Sequence, residues 1–153
     1  VDLITAVNPF GFDPELLTIA RPLFTQVEAV GRTQMIIIVA RKGFIEKNRA
    51  AMVDLLEDYI AATRRLQDPA HRDEAVQLVA EVTKQPADLF KDWVFTKKDY
   101  FRDPDALPNL EALQENVDLA KNLGFLRASV DVAKYADLTL AKEAAKRLAE
   151  ANH

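Results

Sequence analysis

The sequence predicts an α/β fold in which helices predominate, with two short strand regions and about five to seven helices. The clearest strand signal is Thr33–Ala40, a near-continuous apolar run rich in β-branched residues that lies between Gly31 and Gly43. Such a run is typical of a strand covered on both faces. A second strand-like run occupies residues 1–7, and much of the remaining chain repeats apolar residues at helical spacing.

Two strands alone form at best a marginal sheet in water, so both strand regions need further partners. The sequence also begins inside the first of them, at Val1, without a Met. We therefore expect the chain to be the C-terminal part of a larger α/β protein. Part of its function is then expected to lie in the missing N-terminal half.

The segments between the two strands are predicted from turn and capping residues. The loop Asn8–Phe12 ends the first strand, since Pro and Gly both interrupt strands. Asp13 and Pro14 predict the start of a short helix, with Asp as N-cap and Pro in the first turn. This helix ends before Pro22, because the residue before a proline avoids the helical region. Leu23–Val27 is predicted to be extended.

The rest of the chain is predicted to be helical with one irregular stretch. The predicted helix starts are Phe44, Asp68-Pro69, Gln85-Pro86, Asn109 and about Thr139. The helix that Asn109 caps ends near Gly124, where a left-handed residue is expected, and the last helix ends near Ala151. Val94–Pro108 has two prolines and little periodicity, so we predict that it is mostly irregular.

Composition limits the functional classes. The 153 residues are 49% hydrophobic and 29% charged, which is typical of one folded, soluble domain. A net charge of −4 without a basic region argues against a nucleic-acid partner. Cysteine is absent, which excludes thiol chemistry and disulfides. No apolar run reaches the roughly 18 to 20 residues of a membrane span.

Motifs for catalysis are missing from the sequence. Its two histidines, His71 and His153, lie outside any His-Glu-x-x-His pattern, so we predict no metal site. The four glycines form no phosphate-binding loop, and Ser129, the single serine, lies outside a nucleophile elbow. We predict no cofactor and no catalytic residue.

Asn8, Pro9 and Phe10 form the main candidate binding loop. In open α/β sheets, ligands bind beyond the carboxyl ends of the strands, and this loop directly follows the first predicted strand. The alternative is a plain turn without a binding role.

Residues Val1–Phe10 resemble the strand and cleft loop of periplasmic solute-binding proteins of the nitrate, sulfonate and taurine ABC-transporter type. That group is related to proteins that bind or make thiamine-pyrimidine precursors. The resemblance extends over essentially all 153 residues and covers about the second half of such a protein. The other resembling segments are Gly31–Met35, Ala40–Phe44, Asn48–Asp58, Thr96–Tyr100 and Lys134–Leu138.

The resemblance implies a two-lobed α/β clamp of the type II periplasmic-binding-protein fold. Residues 1–23 would be the end of the second lobe, with a strand, the cleft loop and a short helix. Residues 24–32 would be the return crossing. Residues 33–153 would supply the first-lobe strand and the C-terminal helices.

The function implied by the resemblance is the capture of a small solute for an ABC permease, without catalysis. The solute would belong to the nitrate, sulfonate and taurine class, with an anionic organic solute as one option. Asn8, Pro9 and Phe10 would line the cleft, and Arg32 is a weaker candidate for contacting an anion. The location implied is the periplasm, with a signal peptide upstream of this chain.

Two other functions stay open. One is an enzyme similar to a pyrimidine-precursor synthase, whose reactive residues would lie in the missing half. The other is a free-standing helical interaction module that binds a partner through exposed apolar surface. Because the strand Thr33–Ala40 would keep unpaired edges in this chain, we also expect a homodimer or a higher assembly.

Overall fold

Helices account for 58% of this computed structural model, which describes residues 2–151. Seven α-helices occur in that range. They are α1 (Pro14–Ile19), α2 (Gln26–Val30), α3 (Lys42–Lys47), α4 (Arg49–Gln67), α5 (Arg72–Thr83), α6 (Leu110–Asn122) and α7 (Thr139–Ala151). Short 3₁₀ turns cover Phe10–Phe12, Pro69–His71, Ala87–Leu89 and Val132–Tyr135.

The predicted α/β fold is wrong, because no residue from 2 to 151 forms a β-strand. Thr33–Ala40 has the composition of a strand and runs without a turn or bend, but no other segment of the described range pairs with it. A strand exists only when its backbone N–H and C=O groups pair with a neighbouring segment. A strand-like composition alone therefore does not make this segment a strand. Residues 2–7 also lack regular structure, and Val1 lies outside the described residues.

The capping predictions at Asp13, Asn109 and Gly124 are confirmed, whereas the helix predicted from Gln85-Pro86 is only the 3₁₀ turn Ala87–Leu89. The side chain of Asp13 accepts a hydrogen bond from the backbone N–H of Glu15 at 2.8 Å, at the start of α1. Asn109 accepts from the backbone N–H of Ala112 at 3.0 Å and caps α6. Gly124 follows α6 with φ of +81°, the left-handed conformation that glycine adopts without steric cost.

The extended conformation predicted for Leu23–Val27 is wrong at its C-terminal end, where α2 begins. Thr25 and Glu28 form a capping box. The backbone N–H of Thr25 donates to Glu28 Oε2 at 2.6 Å, and the backbone N–H of Glu28 donates to Thr25 Oγ1 at 3.3 Å. Hydrogen bonds from the backbone and side chain of Thr25 lower the pKa of the Glu28 carboxyl.

The chain divides into two compact units that interleave along the sequence. Unit A comprises the described residues up to Ala29 together with Arg65–Phe101. Unit B comprises Val30–Arg64 and the described residues from Arg102 onward. The predicted division into 1–23, 24–32 and 33–153 refers to the lobes of a larger protein and stays a prediction.

Each unit has its own apolar core. In unit A the buried core residues are Val76, Phe90, Trp93 and Val94. In unit B the buried core joins two helices, and its members are Val53, Ile60, Leu140 and Ala144. Val53 and Ile60 are seven residues apart on α4, and Leu140 and Ala144 are four apart on α7. Each helix therefore buries one face, as an amphipathic helix does.

Candidate ligand-binding loop and the exposed apolar run

The candidate loop is a tight turn held by backbone hydrogen bonds. The N–H of Gly11 donates to Val7 O at 3.3 Å, and that of Phe12 donates to Pro9 O at 2.9 Å. The N–H of Asp13 donates to Phe10 O at 3.1 Å, which connects the turn to the cap of α1. The turn is thus ordered by its own backbone, and α1 begins directly after it.

Phe12 anchors this turn in unit A. Its ring stacks on the indole of Trp93, with ring centroids 5.2 Å apart and an angle of 15° between the planes. Trp93 itself is 6% exposed, and its Nε1–H donates to the backbone oxygen of Leu89. Aromatic pairs of this kind contribute about 0.5–1.5 kcal/mol beyond the area they bury. The loop is therefore attached to the core of the unit through Phe12.

Asn8 and Phe10 remain accessible on the anchored loop. The Phe10 residue is 60% exposed, Asn8 is also exposed, and Pro9 between them is half-buried. The amide oxygen of Asn8 lies 3.5 Å from the position that a Cβ on Gly11 would take. An amide that can donate and accept hydrogen bonds thus stands close in sequence to an exposed phenyl ring. Such a pair can bind one polar group and one apolar surface of a small molecule.

Arg72 supports the segment that carries Trp93, a role that the sequence did not predict. Its guanidinium donates to three backbone oxygens, those of Lys91 (2.6 Å), Phe90 (3.4 Å) and Val94. Guanidinium groups suit this task because they present several N–H donors in a fixed plane. In the sequence, Arg72 could not be distinguished from a solvated helix residue.

Arg32 belongs to unit B, whereas Asn8, Pro9 and Phe10 belong to unit A. Its Nη2 lies 3.1 Å from Glu111 Oε2 and 3.9 Å from Glu115 Oε1, and its side chain is 61% exposed. Part of the Arg32 charge is therefore balanced by carboxylates of α6. Its role as an anion contact stays a prediction.

The residues Met35–Val39, called the apolar run below, are the second notable feature of the surface. All five side chains are large and apolar, and their exposed fractions range from 44% for Ile37 to 78% for Val39. Isolated exposed apolar residues are common, but five consecutive ones are unusual.

Asn116 fixes the chain just before the apolar run. Its Oδ1 accepts a hydrogen bond from the backbone N–H of Gln34 at 3.0 Å, and its Nδ2 donates to the backbone oxygen of Arg32 at 3.2 Å. The side chain of Gln34 in turn donates to Ile36 O at 2.7 Å and accepts from the N–H of Asn109 at 2.8 Å. One side of this stretch is thus occupied by amide side chains.

Within residues 2–151, the histidine and acidic side chains form no metal site. His71 Nδ1 lies 3.3 Å from Glu74 Oε2, and His153 lies outside the described residues. Among residues 2–151 no group of three or more His, Cys, Asp and Glu side chains could hold a metal ion. In the same range no helix combines the length and the apolar character that crossing a membrane requires.

Comparison with known proteins gives no relative: no family model, no curated protein and no solved structure matches the chain.

Proposed function

We propose that the chain is the C-terminal part of the solute-binding component of an ABC importer. It acts without catalysis, in the periplasm, and captures a small organic solute of the nitrate, sulfonate and taurine class for a membrane permease. One observation supports the proposal, the accessible loop Asn8–Phe10; the family itself is the expectation from the sequence.

The loop is the observation that carries the proposal. Phe12 stacks on buried Trp93 and keeps the turn in place, while Asn8 and Phe10 are left exposed. A binding group that is held in place before the ligand arrives loses little conformational freedom on binding. Asn8 then offers hydrogen bonds to the solute, and Phe10 covers its apolar part.

The loop provides one wall of the site, and an N-terminal half would provide the other. Closure of two lobes around a solute excludes water and strengthens the polar contacts inside. A single wall leaves those contacts in water, where each hydrogen bond contributes only about 0.5–1.5 kcal/mol. The chain alone is therefore expected to be nearly inert towards the solute, and the protein with both lobes to bind it tightly.

Calorimetric titration of the two-lobed protein that contains this chain tests the proposal. The ligands are nitrate, alkanesulfonates and pyrimidine precursors. Asn8→Ala should weaken binding by about 1–3 kcal/mol, because it leaves a buried polar group of the ligand unpaired. Phe10→Ala should also weaken binding, whereas Phe125→Ala should not. Phe125 is a suitable control because it is 79% exposed and belongs to unit B. Equal affinities of all three variants and the unmodified protein would contradict the proposal.

A helical interaction module is the second candidate, and the exposed apolar run favours it. In that case the run would be the contact surface for a protein partner, and the loop would have no ligand. The titration separates the two candidates, because only the solute-binding function depends on Asn8 and Phe10.

A further inference from the structure

We infer that the apolar run is the contact of a homodimer of this chain, formed by antiparallel pairing with the same run of a second copy. This inference does not rest on the proposed function. It follows from three properties of the run: one free backbone edge, the order of the charges at its ends, and its apolar side chains.

One edge of the run is open. From Thr33 to Ala40 the chain has no turn or bend, as an extended segment does, whereas Arg32 lies at a bend just before it. In such a chain, alternate residues direct their backbone groups to opposite sides. The N–H of Gln34 and the C=O of Ile36 are occupied by the amide side chains of Asn116 and Gln34. The backbone groups of Met35, Ile37 and Val39 therefore face the other side.

These three residues make no backbone hydrogen bond with any residue from 2 to 151. A free edge of this kind is a template for another strand. When two copies pair about Ile37, Ile37 lies opposite Ile37, and Met35 lies opposite Val39 of the second copy. Each free backbone N–H of one copy then faces a free backbone C=O of the other. The arrangement has two-fold symmetry and closes as a dimer.

The charges at the ends of the run favour the antiparallel direction. The run is preceded by Arg32, which lies beside Glu111 and Glu115, and it is followed by Arg41 and Lys42. In antiparallel pairing, Arg41 and Lys42 of one copy lie at the end of the run that follows Arg32 in the other copy. Glu111 and Glu115 outnumber Arg32 there, so this end attracts the two cations. Parallel pairing would bring the same cations together, which is unfavourable.

The apolar side chains of the run also favour the dimer. Successive side chains of an extended segment lie on opposite faces, so both faces of this run are apolar. Pairing brings the side chains of facing residues into contact on each face and removes part of their apolar area from water. Because the run is short, the contact area is small, and we expect a dimer that forms and dissociates with concentration rather than a permanent one.

Sedimentation velocity over a range of concentrations measures the assembly. The unmodified chain should shift from monomer to dimer, and Ile37→Lys should remain a monomer, since two lysines would face each other across the two-fold axis. Val82→Lys is the matched control: Val82 is 73% exposed on α5, outside the run, and its substitution should leave the dimer unchanged. Circular dichroism should show equal helix content for all three proteins.

Oxidative cross-linking tests the register, because the chain contains no cysteine of its own. Ile37→Cys should cross-link to itself, since residues that directly face each other in this position are about 5.5 Å apart and a disulfide can join them. Met35→Cys should cross-link only when mixed with Val39→Cys. Self-cross-linking of Met35→Cys at the rate of Ile37→Cys would indicate a parallel contact and would overturn the inference.

A monomer at all concentrations up to about 100 μM, with no cross-link through Ile37→Cys, would also overturn it. The run would then be left for a different occupant, such as the N-terminal half of a longer protein.

Discussion

Phe12 stacks on Trp93 at a centroid distance of 5.2 Å, although the two residues lie far apart in the sequence. Phe10, in the same turn as Phe12, is 60% exposed. One phenylalanine therefore attaches the loop to the unit, and the other is available for contact with a ligand. This difference between two neighbouring rings can be measured.

Phe12→Ala should lower the free energy of unfolding of unit A by about 2 kcal/mol, because it removes a partly buried ring and its stacking on Trp93. Phe10→Ala should change it by less than about 0.5 kcal/mol, as is usual for exposed positions. Urea unfolding, followed by tryptophan fluorescence, measures the free energy of unfolding of both variants, since Trp93 is the single tryptophan. Equal effects of the two substitutions would contradict the anchoring role of Phe12.

Arg72→Met should destabilise unit A by about 1–3 kcal/mol, because it leaves the backbone oxygens of Phe90, Lys91 and Val94 without their donor. The fluorescence of Trp93 should shift towards that of a solvated indole. Arg127→Met serves as the control, since Arg127 is exposed. An Arg72→Met protein with the stability of the control would rule out the supporting role of Arg72.

Asn116→Ala should increase the hydrogen-exchange rate of the Gln34 amide, because that N–H donates to Asn116 Oδ1. Loss of the bond should cost about 1 kcal/mol, which corresponds to a several-fold faster exchange. Asn122→Ala, at an exposed position near the end of the same helix, should leave the Gln34 amide unchanged. Unchanged exchange in Asn116→Ala would show that this amide is protected in another way.

Features that depend on neighbouring residues were predictable from the sequence. Asp13, Asn109 and Gly124 act on backbone groups within a few residues, so capping rules located the helix ends correctly. The capping box of Thr25 and Glu28 follows the same rules, but the apolar residues around it suggested an extended segment instead.

Features that depend on distant residues were not predictable. The stacking of Phe12 on Trp93 and the bond between Gln34 and Asn116, 82 residues apart, leave no periodic pattern in the sequence. The strand prediction for Thr33–Ala40 failed for the same reason. Its composition satisfies the side-chain preferences of a strand, but pairing requires a second segment, which no described part of the chain supplies. The exposure of Asn8 and Phe10 was likewise visible only in the structure.

The ion pair between Arg65 and Glu74 should make stability depend on pH in the acid range. Arg65 donates hydrogen bonds to Glu74 at 3.2 and 2.7 Å, and these bonds are the main reason why the pKa of Glu74 lies below its ordinary value of 4.5. A carboxyl whose pKa is lowered by folding stabilises the protein above its ordinary pKa. That stabilisation is lost as pH falls through the lower, folded value.

Glu74→Gln should therefore lose less stability than the unmodified chain when the pH is lowered from neutrality to below the ordinary pKa of 4.5. Glu81→Gln, an exposed position on the same helix, should keep the pH dependence of the unmodified chain. Urea unfolding at a series of pH values gives the comparison. If the free energies of unfolding of Glu74→Gln and Glu81→Gln changed with pH to the same extent, Glu74 would not contribute to the loss of stability in acid.

Thermal-shift titration of the 153-residue chain, alone and together with the N-terminal half that the proposal requires, tests most directly whether this chain is one wall of a solute-binding clamp. Nitrate, alkanesulfonates and pyrimidine precursors should give no saturable shift with the chain alone. One of them should give a saturable shift when both halves are present, and a ligand at about 100 times its dissociation constant stabilises the folded state by roughly 2.7 kcal/mol. A saturable shift with the chain alone, or none with both halves, would contradict the account.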